Sequence, residues 1–123
     1  MLSLGTNLIP VGQYIERFNQ ISGQNLPLGT IFQSNGLAKH IQKRHPNDIG
    51  NLTYLSAIIS APDYVGHNPK EPNSIELVKT ISDNIMVCVK LDSNLGYLYV
   101  SSVFPISSGK MQNRINSGRL KKF

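Results

Sequence analysis

The chain has 123 residues, 40% of them hydrophobic, with no tryptophan and a formal net charge of +5 at pH 7. That suits one globular domain with a modest core and excludes a disordered chain, while the surplus positive charge favours polyanions such as RNA, DNA or acidic proteins. The single cysteine, Cys88, excludes an internal disulfide framework and a multi-cysteine zinc site, and it fits a reducing compartment or an undemanding one; the expected location is the cytoplasm of the producing or target cell.

No apolar run reaches the roughly 18 residues of a membrane span, and the opening MLSLGTNLIP lacks a basic n-region. Neither a membrane partner nor a secretory signal is therefore expected. Residues 1–10 read as a lead-in. Val11, Tyr14, Ile15, Phe18 and Ile21 recur at helical spacing with Glu16, Arg17 and Gln20 outside, which predicts an amphipathic helix over Val11–Ser22 closed by Gly23. Pro27 and Gly29 punctuate a short strand at about Thr30–Gln33. The run Asn35–Pro46, NGLAKHIQKRHP, predicts a second helix. Asn35 offers an N-cap, Leu37, Ala38 and Ile41 an apolar stripe, and Pro46 a stop. His40 and Arg44 stand one turn apart on one edge of that stripe, His45 falls on the other edge, and Lys39 and Lys43 form a further one-turn pair.

Leu52–Ser60, LTYLSAIIS, reads as an almost wholly apolar third helix. The irregular stretch Pro62–Pro72, PDYVGHNPKEP, is a polar loop suited to substrate contacts, with Tyr64, Asn68 and Lys70 available. The period then changes to two. Ser74–Ile81, Ile85–Leu91 and Tyr97–Phe104 read as strands of an antiparallel meander joined by SDN and DSNLG. Met86, Cys88 and Lys90 share one face of the second strand. Ser107 or Ser108 caps a last helix through Asn116, and residues 117–123, SGRLKKF, leave as a basic tail. The order helix, strand, two helices, three strands, helix predicts one α+β domain over residues 1–123, its helices packed on one face of a small, mainly antiparallel sheet.

Two imidazoles among cations suit acid–base chemistry in a groove. RNA cleavage without a metal, which the family resemblance described below implies, moves a 2′-hydroxyl onto the adjacent phosphate. It needs a base for the hydroxyl proton, an acid for the leaving 5′-oxygen, and cations for the charge that builds on phosphorus. His40 and His45 are the acid–base candidates, because an unperturbed imidazole titrates at about 6.5. Arg44 and Lys90 are candidates to hold the phosphate, and Ser101 or Ser102 to orient it. Strict alternation puts those two serines on opposite faces, so one at most enters a site. Tyr64, Tyr97 and Tyr99 offer rings for base stacking, and Lys39, Lys43, Asn68 and Lys70 offer backbone contacts.

Each has a plainer reading. His40 can be a packed side chain, His45 a cation at a helix end, Lys39, Lys43 and Arg44 a solvated face, and Lys90 a snorkelling strand residue. Lys70 and Lys79 read as groove rim, Cys88 as a small buried hydrophobe, and His67 as a loop residue without a role. A zinc site from His40, His45 and His67 with Asp48 or Asp63 matches no strong ligand spacing, and neither a G-x-S-x-G elbow nor a phosphate-binding glycine loop is present.

The run HIQKRHP, then APDYVGHNPKEPNSIELVK, MVCVKLD and GYLYVSSVFPIS, followed by a basic final helix, resembles the phage nuclease families grouped with barnase, EndoU, the colicin tRNases and RelE. The likeness extends from about Gly12 to Arg119. It implies an α+β ribonuclease of that group, phage-borne or toxin-type, that works without a metal or other cofactor on RNA, tRNA included. It adds weight to His40, Arg44, His45 and a serine of the late strand. It selects Ser102, although alternation sets that residue beside Leu98, Val100 and Phe104. An acidic antitoxin or immunity protein is an implied partner. The rival is a non-catalytic nucleic-acid or protein-binding module of the same fold, gripping phosphates through Lys110, Arg114, Arg119, Lys121 and Lys122.

Overall fold

The computed structural model describes residues 8–44 and 46–123; within that span the side chains of Asn35, Ala38, His40, Arg44 and residues 46–49 fall outside the description. The chain runs β1 (Leu8–Tyr14), α1 (Glu16–Ser22), β2 (Gly29–Ser34), α2 (Asn35–Arg44), a 3-10 segment (Pro46–Tyr54), α3 (Leu55–Ser60), β3 (Tyr64–Gly66), β4 (Ser74–Thr80), β5 (Asn84–Leu91), β6 (Leu98–Ile106), α4 (Ser108–Asn116) and β7 (Leu120–Lys122). The strands form one sheet in the order β1-β2-β6-β5-β4-β3-β7. β2 and β6 pair in parallel and the other neighbours antiparallel, so the sheet is mixed. Among the described residues, no helix is long and apolar enough to cross a membrane.

The meander β4–β5–β6 follows from its period-two pattern. Ile75, Leu77, Val87, Val89, Val100 and Val103 turn to one face, where they bury against Phe18 of α1, Leu37 and Ile41 of α2, and Ile58 and Ile59 of α3. On the other face Val78 and Met86 bury against Met111 of α4, with Phe104 and Ile115 packed around them. Helices therefore lie on both faces, in place of the single helical face expected from the sequence. The reason is visible in β4, where every residue from Ser74 to Val78 is buried. A strand buried on both sides needs a layer on both sides.

The helix expected over Val11–Ser22 divides in two. Val11 and Tyr14 fit a helical stripe by spacing, yet they belong to β1, which pairs with β2 and absorbs an irregularity between Pro10 and Gly12. Only Glu16–Ser22 is helical, and Gly23 closes it at φ 77° with its N–H on the Asn19 carbonyl, 2.9 Å away. The buried Asn19 side chain then fixes the following turn. It accepts from the Tyr14 hydroxyl at 2.7 Å and the Leu26 amide at 3.0 Å, and it donates to the Leu26 carbonyl at 2.9 Å. The expected lead-in thus ends sooner than residue 10, with residues 1–7 outside the described part. The third helix is α-helical only from Leu55.

The tail is structured too. β7 pairs with β3, and Phe123 packs near Phe18, their ring centroids 5.8 Å apart. This edge needs Gly66. A methyl group there would overlap the Arg119 carbonyl oxygen and crowd Leu120. Gly66→Ala is expected to lower stability by about 1–3 kcal/mol, the usual cost of overpacking. Urea denaturation with an unchanged midpoint would contradict the close β3–β7 approach.

Candidate functional site

On the sheet face turned away from α1–α3, strand register lines side chains into three transverse rows. The first runs Phe32, Tyr99, Lys90, Ser74. The second runs Ser102, Cys88, Glu76, Gly66, Leu120, and the third Phe104, Met86, Val78, Tyr64, Lys122. The apolar cluster under α4 takes the third row, with Leu120 and Cys88 from the second. Ser74 and Lys90 of the first row and Ser102, Cys88 and Glu76 of the second floor a groove of about 430 Å³, walled by Asn68 and Glu71 from the loop before β4 and by Arg114 and Arg119.

Both serines of β6 reach this groove. The register of β5 against β6 shifts between Cys88 and Val89: Cys88 faces Ser102, and Val89 faces Val100. Ser101 is the extra residue of a β-bulge, and beyond a bulge the alternation is reset. Leu98 and Val100 therefore face the core while Ser102 and Phe104 face outward. Strict alternation, which set Ser102 beside Leu98 and Val100 and allowed one serine at most, is corrected by this bulge. The Ser101 hydroxyl donates to the Cys88 carbonyl at 3.2 Å. Ser102 stands directly across from Cys88.

The charges in the groove are arranged in pairs. Glu76 is buried, and Arg119 clamps it with two bonds, Nε to Oε1 at 2.8 Å and Nη2 to Oε2 at 2.6 Å. This carboxylate raises the already high pKa of Arg119. Lys90 lies 2.9 Å from Glu71. Their hydrogen bond holds the Glu71 carboxyl below the usual carboxylate range and the Lys90 ammonium above its own. Arg114 is different. Its Nη1 rests 3.6 Å from the Met86 sulfur, a weak acceptor, and among the described residues it has no carboxylate partner. Burial pushes the Cys88 thiol up to about 11, so it stays protonated at neutral pH and is no thiolate nucleophile.

Of the residues singled out from the sequence, Lys90, Ser102 and Asn68 meet in this groove, and Tyr99 stands beside Lys90 in the first row. Tyr99 belongs to an aromatic run, with Tyr97 5.9 Å from it and Phe32 6.1 Å from Tyr97. Tyr64 is elsewhere, half-buried against the apolar cluster under α4. Lys70 borders a neighbouring cleft. Lys39 and Lys43 are exposed on α2. His45 and the side chains of His40 and Arg44 lie outside the described residues. Among the described residues, β6 past Tyr99 pairs with β5 alone; α2 and the 3-10 segment also contact β6.

His67 has both ring nitrogens engaged: Nδ1 lies 3.1 Å from the Gln24 amide nitrogen and Nε2 3.1 Å from the Glu71 carbonyl. That suits an anchor for the loop rather than the roleless residue read from the sequence, and it leaves little for a metal. Asp63 accepts from the Thr80 amide at 2.8 Å. Among the described residues no group of three or more His, Cys, Asp and Glu is placed to hold a metal ion. Sequence reasoning missed Phe32, and it gave Arg114 and Arg119 only to the phosphate-gripping basic segment of the rival binding module, not to this groove.

Removing Arg119 would strand the buried Glu76 carboxylate. Arg119→Ala is expected to cost about 3 kcal/mol, in the range for breaking a buried ion pair. Adding Glu76→Gln should recover a substantial part of that loss. A double variant no more stable than Arg119→Ala alone, measured by thermal denaturation, would contradict the pairing.

Neither a curated protein nor a solved structure matches the chain. A family described as phage-Barnase-EndoU-ColicinE5/D-RelE like nuclease3 matches residues 10–113, a span that takes in β4, β5, β6 and most of α4. The open sheet face thus lies within a matched nuclease domain, and the chain belongs to the phage-Barnase-EndoU-ColicinE5/D-RelE like nuclease3 family.

Proposed function

We propose that the protein is a ribonuclease that cleaves RNA by metal-independent transesterification in the groove across β4, β5 and β6. The observation that carries this reading is the meeting of three cations, two serine hydroxyls and an aromatic row on one open sheet face. Lys90 and Arg114 take the non-bridging oxygens of the scissile phosphate, where negative charge grows in the transition state. Ser102 donates to the same phosphate, since the Ser101 hydroxyl is engaged with the Cys88 carbonyl. Tyr97 and Tyr99 offer stacking surface for a base. Lys39 and Lys43 contact the backbone at a distance.

Proton transfer falls to His40 and His45, with Arg44 as a further phosphate ligand. One imidazole takes the 2′-hydroxyl proton as the 2′-oxygen bonds to phosphorus. The other protonates the 5′-oxygen as its bond to phosphorus breaks, leaving a 2′,3′-cyclic phosphate and a 5′-hydroxyl. The support for this assignment is the acid–base chemistry of imidazole, together with the contact of α2 with β6, the strand that carries Ser101 and Ser102. The substrate class is cellular RNA, tRNA included, and an acidic antitoxin or immunity protein suits the basic surface as a partner.

The charge states of the groove sharpen the test. Glu71 is held low, Lys90 is held high and Cys88 titrates at about 11, so none of these three changes charge across the neutral range. A bell-shaped kcat/KM profile between about pH 5 and 8 would then report the imidazoles. With total RNA in excess EDTA, cleavage to 2′,3′-cyclic ends is expected. His40→Ala and His45→Ala should each lower kcat by about 10²–10⁴ and keep RNA affinity. Equal cleavage by all three proteins would contradict the assignment, and RNA binding without any cleavage would leave a binding module.

A further inference from the structure

A second cleft of about 700 Å³ adjoins the groove, lying between the His67–Lys70 loop and the segment from Arg114 to Lys121. Asn68, Arg114 and Arg119 line both hollows, so the two are neighbours that share these side chains. Their charge differs. The groove contains the carboxylates Glu71 and Glu76, paired to Lys90 and Arg119. The cleft is lined by Lys70, Arg114, Arg119 and Lys121 and by no carboxylate.

These cations stand on constrained backbone. On one wall the Asn68 side chain accepts the Lys70 amide at 3.1 Å, and its carbonyl accepts the Glu71 amide at 2.9 Å. His67 ties the same loop to Gln24. On the other wall Lys121 is held in β7, in register with Val65, beside the fully buried Leu120. Arg119 is balanced by Glu76, but Lys70, Arg114 and Lys121 have no carboxylate partner among the described residues; they repel one another, and a polyanion relieves that repulsion.

We propose that this cleft is a phosphate-binding extension of the groove, holding the backbone of single-stranded RNA that flanks the scissile phosphate. The inference rests on the nuclease reading of the groove and adds a substrate class to it, a strand of several nucleotides. RNA is favoured over an acidic polypeptide by what adjoins the cleft. Arg114 lines both the cleft and the groove that holds Lys90, and the row from Lys90 leads on to Tyr99 and the rings of Tyr97 and Phe32. Those rings suit bases and have no evident use for a chain of carboxylates.

The test uses 2′-O-methyl RNA, which binds without being cleaved, as a dinucleotide and as an octanucleotide. The proteins are the parent and a Lys70→Ala, Lys121→Ala double variant, both changes being at exposed positions. The parent should bind the octanucleotide much more tightly than the dinucleotide. In the double variant this length advantage should fall by about tenfold, and the log–log salt slope for the octanucleotide should become shallower by about 1.4, two contacts at about 0.7 each. An unchanged length advantage would overturn the proposal. So would polyglutamate binding that depends on the two lysines while octanucleotide binding does not. If unmodified octanucleotide is never cleaved but the length effect appears, the catalytic reading fails and the cleft stands.

Discussion

Glu76 carries a carboxylate on an interior strand of the sheet, and such a group is tolerated only when a cation and hydrogen bonds meet it. Arg119, 43 positions further along the chain, meets it with two. The approach depends on Gly66, which leaves the row between Glu76 and Leu120 without a side chain. Much else follows from this contact. It fixes the turn after α4, at the end of the helix that carries Arg114. It draws β7 onto the sheet edge with Lys121 at its centre. It also converts what would be an anionic groove floor into a neutral one that a phosphate can approach.

The sheet face above this pair is graded along its strands. One end has Phe32, Tyr97 and Tyr99, the middle has Lys90, Ser102, Cys88 and Glu76, and the far end is apolar and closed by α4. The gradient comes from register: a single row shift changes which chemistry each strand contributes. The bulge at Ser101 matters for that reason. It turns Ser102 outward to face Cys88 and keeps Val100 and Val103 in the core.

Legibility from sequence divides along physical lines. The meander, the shared face of Met86, Cys88 and Lys90, and the capping of the last helix by Ser107 or Ser108 follow from local pattern; the structure has all three, with Ser107 as the cap. The buried stripe of Leu37 and Ile41 was equally plain. The bulge was not, because one inserted residue leaves no mark in an alternating run yet exchanges the faces on either side of it. Val11 and Tyr14 have a spacing that serves a helix or a strand, and pairing with β2 decided between them. β3 and β7 have three residues each, too few for alternation to register. Arg114 and Arg119 read as part of a phosphate-gripping basic segment, and their packing was hidden because the groups they meet, Met86 and Glu76, are distant in sequence. The nuclease family was legible through residue likeness rather than through periodicity, and the histidines of the proposed mechanism rest on that likeness and on the chemistry of imidazole.

The most direct test of the central claim is an amide chemical-shift map of the protein titrated with a non-cleavable oligonucleotide. The account predicts the largest shifts at Lys90, Ser101, Ser102, Tyr99 and Arg114. Shifts confined to the hollow between β1 and α3, around Gln13, Ser56 and Ser60, with the groove residues unmoved, would contradict it.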